Sequence, residues 1–291
     1  MRKHINKLNS LVMSGLMAAC VAGWTSSTAL AATNETSEAR PILIQGPMPI
    51  EAEKFANKLN NVKTEKSGSF VFYIGTIDNY PVIVSKTGKG MENTAANTAV
   101  AILKYNPIAI INQGTSGGHD PSLNVGDIVL GKRTTNTGSL KTGDLDKNQG
   151  SNPMTWSPMD LMASEGSGSD PNAKKIRYYE GDKDLIASAN AVKNKYTKGK
   201  VVEGTIASSD VWNDEVDRIH WFNTNFGTSV EEMEGAAGAQ IANAYGVKFL
   251  GIRVLSNNKS NGGKYNPETA AGNQGYVYEV VKHYISTLKR K

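Results

Sequence analysis

The stretch Thr228-Ser-Val-Glu-Glu-Met-Glu-Gly-Ala-Ala-Gly-Ala239 sets three carboxylates, Glu231, Glu232 and Glu234, around one methionine, Met233. Small residues follow at once, and their composition suits a helix packed too closely on its neighbours to lie on a surface. Acids at the junction of a strand and a helix are placed where α/β proteins do chemistry, and the helix N-terminus stabilises negative charge there. On spacing alone the same acids also suit a solvated first helical turn. A second stretch, Gly114-Thr-Ser-Gly-Gly118, directly follows the apolar run from Ile108. Glycines at that point let backbone amides approach an anion or a polar ligand. The G-x-G-x-x-G spacing of a dinucleotide site is absent. No metal-ligand spacing is present either, and His119 reads as a solvated loop residue.

These side chains need a scaffold, and the pattern predicts one. Pro41–Gly46 and Ile108–Gly114 read as buried strands, since short apolar runs ending in glycine suit strands covered on both faces. A helix is expected from Pro47 to about Asn60. A hairpin, Phe70–Ile77 with Val82–Ser85, is expected around Asp78-Asn79. Further helices are expected at Glu92–Leu103, Asp184–Lys195, Asn213–Asn223 and Gly275–Leu288. Further strands are expected at Val125–Leu130, Lys200–Ala207 and Lys248–Leu255. Strands alternating with helices, without a repeat, predict an α/β fold: a single domain over residues 41–291 with a central mixed β-sheet flanked by helices. Between about 133 and 178 the chain turns to Asn, Gly, Ser and Asp with no period. An insertion of that length is expected to be a lid, an oligomer contact or a surface adornment, with Trp156, Met159 and Met162 as its apolar residues.

Residues 1–31 read as a signal peptide: Arg2, Lys3 and Lys7 precede a short apolar stretch, and Ala29-Leu-Ala31 fits a small-x-small cleavage site. Met17-Ala-Ala-Cys20 loosely fits a lipoprotein box as an alternative. Export, periplasmic or secreted, is therefore expected, with residues 32–40 as a disordered leader. Cleavage would remove the sole cysteine, which excludes disulfides and thiol chemistry from the remainder. Removing those three cations takes the formal charge from +5 to +2, too small for an electrostatic case for nucleic acid. No later apolar run is long enough for a membrane span.

The motifs carry a resemblance. Val230-Glu-Glu-Met-Glu-Gly-Ala-Ala237 resembles the ribose-binding signature of the nucleoside phosphorylase and nucleosidase superfamily, and looks most like methylthioadenosine/S-adenosylhomocysteine nucleosidases. The resemblance implies that Met233 packs on the ribose and that Glu234 binds its hydroxyls, with Glu232 beside them. Ile111–Gly118 through Leu123–Val129 resembles the family's glycine-rich pattern and puts Thr115, Ser116 and Gly117 beside the nucleophile and sugar. Gly46-Pro-Met-Pro-Ile-Glu51 resembles the first-strand loop, where the glutamate activates water, so Glu51 rather than Glu53 is the expected base. Ser209-Asp-Val-Trp212 resembles the segment whose aromatic stacks on the purine, and Trp212 or its neighbours fit that role. The C-terminal tyrosines are expected to be packing residues.

Arg253-Val-Leu-Ser-Asn-Asn258 departs from the resemblance. The adenosine-specific nucleosidases carry Asp where Asn257 stands. An anion there accepts from a 6-amino group, whereas against a 6-oxo group it sets acceptor against acceptor. An amide offers both functions, its NH2 to O6 and its carbonyl to a protonated N7. Asn257 therefore points to a 6-oxopurine nucleoside such as inosine or guanosine. The turn Lys86-Thr-Gly-Lys-Gly-Met91 lacks the arginine that suits bidentate phosphate binding, which favours hydrolysis. A phosphate-dependent phosphorylase, a methylthioadenosine/S-adenosylhomocysteine nucleosidase and a non-catalytic nucleoside-binding protein remain the alternatives. No cofactor or metal is expected; the partner is a small purine nucleoside, and the resemblance implies a homo-oligomer, dimer or higher.

Overall fold

The run Ile42–Gly46 is strand β1, buried along its whole length. Ile42 and Ile44 enter one core while Leu43 enters another, since alternate side chains face opposite sides of a sheet. Val82 and Val84 are likewise divided from Ile83, and Ala109 and Ile111 from Ile110. A sheet covered on both faces needs such unbroken apolar runs.

The computed structural model describes residues 39–162, 172 and 174–290. The leader, the cleavage site and residues 32–38 lie outside the described residues. Arg40 is within them and donates to the carbonyls of Asn106 and Pro107. One ten-stranded mixed sheet organises the fold. Its strands are β1, β2 (Asn60–Ser67), β3 (Phe70–Ile77), β4 (Tyr80–Lys86), β5 (Ala109–Gly118), β6 (Ile128–Asn136), β7 (Tyr178–Glu180), β8 (Val201–Ser208), β9 (Val230–Glu232) and β10 (Lys248–Asn257). The helices are α1 (Pro49–Ala56), α2 (Met91–Tyr105), α3 (Lys183–Ala191), α4 (Val216–Phe226), α5 (Gly235–Ala244) and α6 (Thr269–Leu288). α1, α3 and α6 cover one face through Phe55, Leu185, Val277 and Val281. α2 and α5 cover the other through Ala101, Ile102, Ala239 and Ala242.

β1 pairs in parallel with β4 and β5, and β5 in parallel with β10. β10 also pairs antiparallel with β6, β6 pairs with β8, β8 with β9, and β9 returns to the end of β5. That half of the sheet thus closes on itself. The closure brings the ends of β5, β8, β9 and β10 to one place.

Three local differences from the sequence expectation have physical reasons. The first helix stops at Ala56, and the polar Asn60–Ser67 is an edge strand, exposed over most of its length. Lys63, Glu65 and Lys66 give it no apolar alternation, and charge is how an edge strand resists further pairing. The glycine-rich turn after Gln113 is not a loop; β5 continues through it to Gly118, because β9 and β10 both pair there. The insertion begins after Asn136, where β6 ends, and finishes at Tyr178, which pairs with Thr135. Inside it, Leu140–Lys141 pairs with Ser157–Pro158, and Leu161–Met162 with Lys175–Ile176. Trp156 is half-buried and donates from Nε1 to the Gly150 carbonyl, Met159 is exposed, and the Met162 side chain lies outside the described residues.

The β3–β4 hairpin turns on Asp78 and Asn79, both at positive φ (49° and 63°). This two-residue geometry matches the right-handed twist of the flanking strands. Asp78→Val should lower stability by about 1–2 kcal/mol, the cost of a left-handed conformation for a branched residue. Asn79→Gly should hold or raise it; thermal unfolding of both variants checks the pair.

Candidate active site

The strand ends surround a cavity of about 230 Å³. Its wall includes Glu51, Thr115, Ser116, Gly117, Trp212, Glu232, Met233, Glu234 and Asn257. Residues from six separate elements and loops therefore converge on one space.

Glu51 lies in the first turn of α1 and is only 2% exposed. Its Oε1 accepts from the Thr115 backbone N–H and from Thr115 Oγ1, both at 2.8 Å. Its buried Oε2 has no protein partner. Gly114 makes the approach possible, since a Cβ there would stand 3.0 Å from Oε1. Burial raises the Glu51 carboxyl above its ordinary value of 4.5, against the pull of the Thr115 donors and Arg253. Glu53 instead forms a surface ion pair with Lys86, which separates the two acids that share α1.

Glu232 and Glu234 differ in kind. Glu232 accepts from Arg253, from Ser208 Oγ and from the backbone N–H groups of Glu234 and Gly235. It organises the loop, and its oxygens are engaged. Glu234 accepts from Gly90 N at 3.0 Å and from Met233 N at 3.3 Å. Burial and the Glu232 carboxylate push Glu234 up to about 8, against the pull of Arg253 and Gly90 N–H. Met233 completes this wall. Behind it α5 packs closely: a Cβ on Gly238 would stand 3.0 Å from the Phe249 ring.

β10 carries a bulge between Leu255 and Asn257. Leu255 lies opposite Ser116, Ser256 is skipped, and Asn257 lies opposite Gly117. A bulge re-aims the side chain that follows it. Asn257 thereby lines the cavity, with Oδ1 3.1 Å from Ser256 Oγ and Nδ2 on the Gly117 side. Its neighbour Asn258 is fully buried and donates to the Asp120 and Leu123 carbonyls. The two tandem asparagines thus have separate tasks.

The aromatic end differs from expectation. Trp212 is 69% exposed and meets Tyr265, itself 58% exposed, edge-on at 6.5 Å. Tyr265 lines the cavity, so this C-terminal tyrosine is not a packing residue, whereas Tyr276 and Tyr284 are buried in the core. His119 is likewise not solvated. It is fully buried, stacks on Phe222, and holds Nδ1 2.7 Å from Thr228 Oγ1. Its Nε2 lies 3.1 Å from Glu231 Oε2, off the direction of a good hydrogen bond. Glu231, Asn213, Val211 and Lys89 also line the cavity. Glu231 belongs to the three-acid motif but its spacing gives it no role, because β9 meets β5 only through closure of the sheet; nothing in sequence spacing marks Asn213 and Val211. No described residue of the 133–178 insertion lines it. Among the described residues, no group of three or more His, Cys, Asp or Glu could hold a metal ion, and no helix is long and apolar enough to cross a membrane.

A central mixed sheet flanked by helices is the architecture of the nucleoside phosphorylase and nucleosidase class. The family model described as the phosphorylase superfamily matches residues 41–286, and the chain belongs to that family. It is 31% identical over 214 residues to the 5′-methylthioadenosine/S-adenosylhomocysteine nucleosidase of Psychromonas ingrahamii, covering 73% of this chain and 84% of that one. It is 30% identical over 216 residues to the enzyme of the same name from Bacillus cereus, covering 74% and 84%. The structure of the Neisseria meningitidis 5′-methylthioadenosine/S-adenosylhomocysteine nucleosidase with methylthio-immucillin-A superposes with a TM-score of 0.67 and 25% identity, covering 84% of this chain and 99% of that one. Futalosine hydrolase of Helicobacter pylori shares the fold, with a TM-score of 0.66 and 20% identity over 84% of this chain and 98% of that one.

Two outcomes follow from the buried charges. Arg253→Met leaves Glu232 buried and unpaired, and should cost about 3–5 kcal/mol; adding Glu232→Gln should recover part of that loss, read by urea unfolding. Glu234 is raised from 4.5 to about 8, so its protonated form stabilises the fold fully below about pH 4.5. That stability is lost as pH rises toward 8. Glu234→Gln should flatten the decline in the urea midpoint between pH 5 and pH 8.

Proposed function

We propose that the chain hydrolyses the N-glycosidic bond of purine nucleosides. The observation that carries this is Glu51: a buried carboxyl with one oxygen fixed by Thr115 and the other unpartnered, in the wall of the cavity. A carboxylate so placed takes a proton from attacking water. Met233 and Glu234 hold the ribose. The names of the relatives, nucleosidases at 30–31% identity, support the same chemistry. The leader-like residues 1–31 support an exported form.

The start of α2 favours water over phosphate. The N-terminus of a helix is a ready anion site. Here the N–H groups of Gly90 and Met91 are already taken by Glu234 Oε1 and Asp210 Oδ1, both at 3.0 Å. Lys86 is paired with Glu53, which leaves Lys89 as the cation lining the cavity. A phosphate at that turn would have to displace both of these internal acceptors.

Residue 257 bears on the base. With its NH2 on the Gly117 side, Asn257 donates to a 6-oxo group, and this supports a preference for inosine or guanosine. A second reading follows the relatives' names: 5′-methylthioadenosine or S-adenosylhomocysteine as substrate, with the same Glu51 chemistry.

Purified protein should release free base from a purine nucleoside without phosphate, and Glu51→Gln should lower the rate by about 10²–10⁴-fold. Because Glu51 is raised, the acid limb of kcat/KM should fall above pH 4.5, activity being lost as the base protonates. Strict phosphate dependence would replace this reading with the phosphorylase. Asn257→Asp should move the ratio of kcat/KM toward 6-amino substrates by about ten- to a hundred-fold, the equivalent of one unsatisfied buried group. A wild-type preference for methylthioadenosine that Asn257→Asp leaves unmoved would select the second reading.

A further inference from the structure

Cleavage of a purine nucleoside leaves electrons on the base, and a proton on the imidazole ring makes the base a better leaving group. Asn257 faces the base end of the cavity but, being an amide, has no titratable proton to give. Its carbonyl is turned to Ser256 Oγ. Four carboxyl groups line the cavity: Glu51, Glu231, Glu232 and Glu234. Glu51 is assigned to water, Glu232 is held by Arg253, and Glu234 faces the start of α2. Glu231 remains. A methyl group on Gly117 would lie 3.4 Å from Asn257 Nδ2 and 3.7 Å from Glu231 Oε1. The amide and this carboxyl therefore flank the same spot, and a ring edge resting on Gly117 meets both.

The surroundings of Glu231 hold it there. Register in β9 puts it opposite Gly117. Its Oε2 accepts from Asn213 Nδ2 and faces His119 Nε2 at 3.1 Å. That Nε2 is fully buried and has no hydrogen-bond partner of good geometry. His119 is fixed in turn by Thr228 and Phe222. Oε2 is thus anchored from the protein side, and Oε1 is left on the cavity side.

Building on the hydrolase reading, we propose that Glu231 is the proton donor to the leaving base, with His119 and Asn213 as its positioning residues. The Glu231 O–H bond breaks as the N7–H bond forms. The C1′–N9 bond breaks with its electron pair going to the base. Water oxygen bonds to C1′ and its proton passes to Glu51. Glu231 ends as a carboxylate and Glu51 as the acid; exchange with solvent through the open cavity restores both.

The test compares two substrates. Inosine needs a proton at N7 to leave well, whereas 7-methylinosine carries its positive charge there already. Glu231→Gln should lower kcat/KM for inosine by about 10²–10⁴-fold, the usual share of a general acid, and change that for 7-methylinosine by less than about three-fold. Glu51→Gln should lower both. An equal loss on both substrates from a folded Glu231→Gln protein, or no loss on either, overturns the proposal and leaves the hydrolase reading intact. Absence of turnover of both substrates by a wild-type protein that hydrolyses methylthioadenosine overturns the proposal and selects the second hydrolase reading; absence of turnover of all three overturns the hydrolase reading as well. If thermal melting shows that Glu231→Gln does not fold, Glu231→Asp asks the same question: its carboxyl is drawn back by one methylene, and inosine should again fall more than 7-methylinosine. Equal effects there count against the proposal in the same way.

Discussion

Arg253 is fully buried, and its guanidinium reaches Glu232, the Asn112 side chain and the Asn112 carbonyl at once. Two buried charges are tolerable only when each is paired and hydrogen-bonded. That requirement fixes β10 against β5 and ties both to the loop after β9. Glu232 then turns its oxygens onto the N–H groups of Glu234 and Gly235, which sets the entry into α5. The positions of Met233 and Glu234 follow from that entry. The cavity wall is therefore a consequence of neutralising one arginine.

The same economy of contacts appears at Glu51. Thr115 holds it, Gly114 and Gly46 make room for it, and Gln113 donates to its backbone carbonyl. Gln113 in turn accepts from Asn273 of α6. A polar network buried beneath the cavity thus joins α1, β5 and α6. Such networks hold a group rigidly when every member is satisfied. Two buried oxygens of this network have no protein partner, Glu51 Oε2 and Asn273 Oδ1, and of the two residues only Glu51 lines the cavity.

Much of this was legible in the sequence, and the limits have physical causes. Apolar runs announced β1, β5 and β10, and Asp78-Asn79 announced the hairpin, because both signals are local. The nine residues picked from motifs line one cavity. Glu231 was marked as one of three acids around Met233 but given no role, because alternation along three residues says nothing about which neighbour a strand will find; only pairing with Gly117 gives it one. His119 escaped because burial in a loop depends on α4 lying over it, a contact made across about a hundred positions of sequence. Tyr265 sits beyond the last strand with no period to place it. β2 was missed because a charged edge strand lacks the pattern by which strands are recognised.

The start of α2 has a consequence for how this site can change over generations. Its two capping carboxylates come from different parts of the chain, Asp210 after β8 and Glu234 before α5. Replacing either one alone leaves the other still occupying one of the two N–H groups, and also strips a cap from the helix. Replacing both at once without a new acceptor leaves two donors bare, that of Gly90 buried. The path to an anion-binding turn therefore crosses intermediates worse than either end, so the two positions are epistatic. Drift at one is checked by the presence of the other.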